Sequence, residues 1–370
     1  MTTRQRCAQL WVEALEARSL PAGNVTATLI AGTLRIVGDS DDNDITVDVS
    51  GGNVVVTGNS GTTVNSAPSA SFPAMQVKAL DIRMNDGDDV VVVDGLNLTR
   101  TSSLRGGDGD DDFTIKNSSF RNATIRLDPG LGTYPEWLRI DNSTFSHPVS
   151  IFGSNQDTLM LVKDSVFGSN VTVRTFGGDD YYVIWDNSDV ANGAATLNLG
   201  DGLNYLQMDG STFNILNVRG GSDNDTVMLG SMSSVTVNLS ATFLLGGGTN
   251  DLSINGGSWG ILTIQGGSGV DYIDILNVSV TLGTTKVSTF GGNDDVDLLG
   301  SIFADAVTVL LGAGDDTLTL NSNTFNSGPG NLDLFDGGTG NDTYSPNGTI
   351  TNLTSANSGL AAAEVVNFYP

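Results

Sequence analysis

The chain has one cysteine, Cys7, and one histidine, His147, among 370 residues. An intrachain disulfide is therefore excluded, a zinc cluster has no ligand set, and a Cys/His or Ser/His nucleophile system has almost nothing to be built from. Cys7 follows Arg6 with no small apolar run ahead of it, which is not the setting of a lipid-anchor cysteine. Basic residues are scarce: 16 Lys and Arg stand against 42 Asp and Glu, a net charge of −26. Such a field repels nucleic acid and anionic membrane surfaces and leaves cations and neutral surfaces as partners. No apolar run approaches the length that crosses a bilayer, so no transmembrane segment is expected. Charged residues of both signs are only 16% of the chain, whereas 47 glycines suit many tight turns better than helices.

What the chain does have is a repeating pattern. A short alternating apolar run leads into an Asp/Gly turn, a second alternating run follows, and a lone aromatic or apolar residue closes the unit. The turn acid recurs as Asp89, Asp111, Glu136, Asp157, Asp180, Asn204, Asp225, Asp251, Asp271, Asp295, Asp316 and Asp342, at a mean step of about 23 residues. A unit this small buries its apolar face only when the next unit stacks on it, so the period predicts a solenoid. Eight residues before the turn acid lies a polar column that includes Asp81, Ser103, Thr172, Thr196 and Thr308. Two and four residues after it come apolar pairs such as Phe113 and Ile115, Leu159 and Leu161, or Leu318 and Leu320, which is the alternation of a strand with one face in the core. Phe120, Phe145, Phe167, Phe213, Phe303 and Phe325 occupy one further position of the unit and are expected to stack inside a third corner.

Two strands and a short third segment per unit describe one turn of a parallel β-helix. The expected fold is all-β, a single right-handed parallel β-helix of about 11 to 13 coils, since parallel crossovers are right-handed almost without exception. Residues 24–75 keep a looser pattern and are expected to form an N-terminal β cap and loop that covers the open end. The regular β-helix is expected over 76–345 and a C-terminal cap over 346–370.

Met1 to Gly23 reads as an amphipathic, targeting-like segment. Within it, Leu15-Glu16-Ala17-Arg18-Ser19-Leu20-Pro21-Ala22 resembles the L-E-x-R-x-L-L-type tag that precedes large secreted or surface repeat proteins in some bacteria, with Pro21 in place of the usual second leucine. That resemblance implies a secreted or cell-surface bacterial protein, in surroundings where calcium is plentiful.

Gly106-Gly107-Asp108-Gly109-Asp110-Asp111-Asp112-Phe113-Thr114 matches the nonapeptide G-G-x-G-x-D-x-U-x, as do Gly266 to Asp274 and Gly337 to Ser345. In this the chain resembles the hemolysin-type calcium-binding (RTX) repeat proteins, whose glycines allow positive φ and whose Asp supplies a hard anionic oxygen. The family carries its nonapeptides in tandem on two edges, whereas here the motif occurs once per unit, so one edge alone would hold ions. Two carboxylates stacked about 4.8 Å apart repel by roughly 0.9 kcal/mol even in bulk water. The candidate calcium ligands are accordingly the densest stacks, Asp88, Asp89, Asp110 and Asp111 in one cluster and Asp294, Asp295, Asp315, Asp316 and Asp342 in the other. The expected affinity is that of extracellular modules, roughly 0.1 to 1 mM.

A second column is basic. Arg83, Arg105, Arg126, Arg174 and Arg219 fall outward at one equivalent position, which Asn198, Gln265 and Ser288 occupy in other coils. Aligned guanidinium groups suit the carboxylates or sulfates of an acidic polysaccharide; the plainer account is that they compensate the acid ladder beside them. The outward threonines are interrupted by Ser150, Asn217 and Lys286, and Asn-x-Ser/Thr triplets such as Asn117-Ser118-Ser119 follow from composition. No catalytic motif singles itself out. The expected role is structural or binding and non-catalytic, with polysaccharide or other cell-surface components as partners. The alternative is a carbohydrate-active β-helix, a lyase or hydrolase of acidic polysaccharide.

Overall fold

Alternation decides the local structure. In Asp112–Lys116 and Thr317–Asn321 every second residue is buried, Phe113 and Ile115 in the first and Leu318 and Leu320 in the second, while their neighbours stay partly exposed. A strand with one apolar face needs a second apolar layer, and stacking supplies it. The computed structural model, which describes residues 23–128, 134–180, 183–326, 333–349 and 364–366, is a parallel β-solenoid of about 11 turns with roughly 22 residues per turn. The targeting-like segment up to residue 22, and residues 350–363 and 367–370 of the expected C-terminal cap, lie outside the described residues.

Two sheets run the length of the rod. One is built from the strands that enter the acidic turn and the other from the strands that leave it. Every coil pairs in parallel with the next, as in Val91 with Phe113, Phe113 with Leu138, and Leu138 with Met160. The last pairing corrects the expectation for the coil after Asp157. Met160 and Val162 are the fully buried residues there, and Leu159 and Leu161 face outward. A slip of one residue exchanges the two faces of a strand, and an all-apolar Leu-Met-Leu-Val run does not reveal which face is which.

The aromatic column forms as expected. Phe120, Phe145 and Phe167 stack with ring centroids 5.1 Å apart, Trp185 leans between Phe167 and Phe213 at 5.2 and 5.9 Å, and Phe303 stacks on Phe325 at 5.3 Å. Each ring is buried. Trp185 comes from the strand after the acidic turn and fills the space where the column narrows to Val190.

At the N-terminal end Thr33–Val37 pairs in parallel with Ala79–Asp86, and Asp44–Ser50 with Val90–Asp94, so residues inside the 24–75 region already trace one coil. Antiparallel hairpins flank it: Asn24–Ile30 against Thr33–Val37, and Asp44–Ser50 against Asn53–Gly58, which in turn pairs with Ser69–Pro73. At the other end Glu364–Val366 adds in parallel to Leu334–Asp336.

Candidate functional site

The acidic turn carries two columns of side chains that do different work. The inner column is Asn43, Asp89, Asp111, Glu136, Thr158, Asp180, Asn204, Asp225, Asn250, Asp271, Asp294, Asp316 and Asp342, every one buried. Most of its members accept a hydrogen bond from the backbone N–H of the coil before: the Asp89 N–H donates to Asp111 Oδ1 at 3.1 Å, Asp111 N–H to Glu136 Oε2 at 3.0 Å, Asp271 N–H to Asp294 Oδ1 at 2.8 Å, and Asp316 N–H to Asp342 Oδ1 at 2.9 Å. The outer column is solvent-facing and runs the other way. Here the N–H of Asp110 donates to Asp88 Oδ1 at 3.0 Å, that of Tyr134 to Asp110 Oδ2 at 3.1 Å, and that of Asn341 to Asp315 Oδ1 at 2.9 Å.

The candidate calcium ligands therefore divide. Asp89, Asp111, Asp294, Asp316 and Asp342 lie in the inner column, and Asp88, Asp110 and Asp315 in the outer one. Asp295 belongs to neither: it is the first residue of the outgoing strand and pairs with Thr317, so Asp294 is the acid that stacks under Asp316. The same one-residue correction applies to two other coils, where Thr158 and not Asp157, and Asn250 and not Asp251, face inward.

Glycine makes the inward turn possible. A Cβ on Gly106 would collide with Asp111 Oδ2, and one on Gly266 with Asp271 Oδ2, so the first glycine of the motif leaves the hollow into which the carboxylate folds. The last glycine has a different task. Gly109 and Gly314 take φ of +140° and +145° and lie so close under the turn before them that a Cβ would strike the carbonyl of Gly87 or Gly292.

Burial has an electrostatic consequence. Each inner carboxylate has one oxygen in the ladder, and the second oxygen of Asp89, Asp111, Glu136, Asp180, Asp294, Asp316 and Asp342 is shielded from solvent with no hydrogen-bond partner. Burial pushes Asp89 up to about 8, Asp111 to about 7 and Glu136 to about 9, against the lowering effect of the N–H that each accepts. Where the coil carries Asn, an amide donor acts against the rise. Asn204 Nδ2 donates to Asp225 Oδ1 at 2.8 Å and Asn250 Nδ2 to Asp271 Oδ1 at 2.8 Å; burial still pushes Asp225 up to about 6, as it does Asp316, which has no such partner. The oxygens suit a hard cation chemically, yet among the described residues no three carboxylate, His or Cys groups converge on a single metal position.

A second ladder escaped the sequence reading. Ser118, Ser143, Ser165, Ser188 and Ser211 are buried at the corner between the second strand and the aromatic column. Each accepts the N–H of the preceding coil, as Ser143 does from Ser118 at 3.2 Å, and donates its hydroxyl to the carbonyl two residues back, as Ser143 does to Asp141 at 2.8 Å. The residue before each serine turns the chain at positive φ: Asn117 at 51°, Asn142 at 44°, Asp164 at 49°, Asn187 at 47°. The Asn-Ser pairs thus have a structural origin in this corner, not a compositional one; an Asx-Ser step recurring at the coil period was the signal available.

The arginine column aligns in consecutive register, Arg83 with Arg105, Arg105 with Arg126, Arg126 with Phe152, Phe152 with Arg174, Arg174 with Asn198 and Asn198 with Arg219. Direct ion pairing with the acid ladder does not hold it in place. Arg83 pairs with Asp81 of its own strand at 3.1 Å, and among the described residues Arg105, Arg126, Arg174 and Arg219 form no ion pair. Comparison with known proteins adds no relative: no family model, no curated protein and no solved structure matches the chain.

Proposed function

We propose that this chain is a non-catalytic repeat rod with a structural and binding role at the bacterial surface or outside the cell, its acidic edge stabilised by weakly held calcium in the manner of the RTX-type repeats it resembles. The observation that carries the reading is the inter-coil ladder. The buried acid column is bonded to the backbone of neighbouring coils, which is the work of a scaffold. Placement outside the cytoplasm rests on the tag-like segment at residues 15–22. Calcium would lie along the acidic edge, at Asp88, Asp89, Asp110 and Asp111 and again at Asp294, Asp315, Asp316 and Asp342, where the inner carboxylates keep an unpartnered oxygen. There it would supply positive charge in place of protons.

The test is thermal unfolding with and without millimolar calcium, with magnesium as control, at pH 5 and pH 8. Calcium is expected to raise the melting temperature, and more so at pH 8, where the ladder carries more negative charge. A melting temperature and circular dichroism spectrum unmoved by calcium at both pH values would remove the ion from this reading.

A further inference from the structure

The arginines that make no close ion pair among the described residues occupy one strip of the incoming sheet. In a protein of net charge −26, four guanidinium groups without a carboxylate partner among the described residues need another explanation. From Arg126 through Phe152, Arg174 and Asn198 to Arg219, five adjacent coils present guanidinium, ring, guanidinium, amide and guanidinium in one line, about 19 Å long at about 4.8 Å per step.

Two shallow depressions lie along that line. The first, of 360 Å³, is lined by Arg174 and Arg219, by the polar residues Thr196, Asn198, Asn217 and Thr242, and by three apolar ones that include Leu244. The second, of 240 Å³, is built on Phe152 and Phe176, whose rings lie 6.4 Å apart and nearly parallel. Arg126 sits 4.2 Å over the Phe152 ring, its Nε shielded and without a hydrogen-bond partner.

Phe176 adds an independent observation. Its φ is +73°, at a coil position filled by Gly200 in the next coil, and the residue is 47% exposed. A bulky residue in the left-handed region is strained, and such strain persists where the side chain is needed. Phe290, at φ +70°, repeats the geometry farther along, away from the arginines.

We propose that the strip Arg126–Phe152–Arg174–Asn198–Arg219, with Phe176 at its side, binds an acidic polysaccharide. Each part has its counterpart in that ligand: guanidinium groups take uronate or sulfate oxygens in bidentate pairs, an aromatic ring takes the apolar face of a pyranose, and the threonine and asparagine side chains exchange hydrogen bonds with its hydroxyls. Nucleic acid would offer phosphates as well. Its denser charge, one for about every 1.7 Å of duplex, meets the overall negative field of the rod far less favourably than a sparsely charged glycan does. This names the ligand of the binding role proposed above and rests on that role, not on calcium.

The test is binding of the full chain to polygalacturonate and to chondroitin sulfate at low ionic strength with EDTA present, so that calcium cannot bridge protein and polymer. Neutral dextran and single-stranded DNA serve as comparison polymers. Binding to at least one acidic glycan is expected, falling as salt rises, with no binding to dextran. Arg174→Ala with Arg219→Ala is expected to weaken it at least ten-fold, Phe176→Ala several-fold, and Arg139→Ala, on the other sheet and paired with Asp141 at 2.9 Å, not at all. Circular dichroism of each variant confirms that it is folded. No binding to either glycan, equal binding by the double arginine variant, or tighter binding to DNA would each overturn the proposal. If calcium-dependent melting persists in that event, the scaffold reading stands without this site. Release of a 4,5-unsaturated uronate from the bound polymer would support the site and overturn the non-catalytic role.

Discussion

From the coil of Ser118 to that of Ser211, two corners have the same task and different chemistry; farther along, Val235, Gly257 and Val278 take the serine position. At both, a buried side chain accepts the N–H of the coil before it, because a backbone donor turned into the core must find a partner. At the serine corner a hydroxyl does this and also donates, as Ser165 does to Lys163 at 2.8 Å, so both its polar functions are met. At the acidic corner a carboxylate accepts one bond and leaves its other oxygen unmet, and burial raises its pKa. A hydroxyl ladder is indifferent to pH and ions. A carboxylate ladder of the same geometry responds to both, and the difference explains how one rod can have an inert edge and a responsive one.

The largest effect that would break this comparison comes from the glycines. Gly109→Ala forces a side chain against the Gly87 carbonyl at φ +140°, and should cost roughly 2–4 kcal/mol in a denaturant titration. The Asn117 position of the serine corner is occupied in the preceding coil by Gly95, which has φ +70° but nothing within 4 Å of an added Cβ.

Alkaline pH is next. The folded-state values of Asp89, Asp111 and Glu136, about 8, 7 and 9, lie above the unfolded values of 3.8 and 4.5. Their protonated forms therefore contribute fully below the unfolded values, and that contribution is lost as pH rises through the folded ones. Melting temperature measured without calcium should accordingly fall as pH rises from the unfolded values, near 4, through the folded ones of Asp225, Asp111, Asp89 and Glu136, and level off above about 9. The combined variant Asp89→Asn, Asp111→Asn, Glu136→Gln should flatten that slope, since Asn204 and Asn250 already fill the column as amides. An unchanged slope in the variant would place the titration elsewhere.

Smaller still is Ser143→Ala. It leaves the Ser118 N–H without its acceptor and should cost about 1–3 kcal/mol, by the same amount at pH 5 and pH 9. A pH-dependent cost would erase the distinction between the corners. The smallest is Gly95→Asn, expected within about 0.5 kcal/mol of the parent, because Asn117, Asn142 and Asn187 hold the same left-handed turn in other coils.

The architecture was legible because it rests on periodicity. Phe145 over Phe167 and Arg105 over Arg126 follow from counting, and the sheet registers agree. The orientation of the turn acids was not legible. Acids come in pairs such as Asp88-Asp89 and Asp294-Asp295, and the coil length varies, so counting cannot say which member folds inward; the hollow beside Gly106 settles it for Asp111 only in three dimensions. The slip at Asp157 has the same origin, since Met160 and Leu159 are equally apolar. The serine corner was hidden for another reason. Ser and Asn are common throughout the chain, so the recurring Asx-Ser step stands out only when it is counted at the coil period, and burial then separates Ser143 from a solvated serine.

The inner acid column and the serine column share a direction: in both, the donor belongs to the earlier coil and the acceptor to the later one. The rod therefore has an arrow. In these two columns an earlier coil's N–H finds its acceptor only on the coil that follows it. If coils stack in the order of synthesis, the growing end is expected to carry at every stage one row of inner donors that the next coil satisfies.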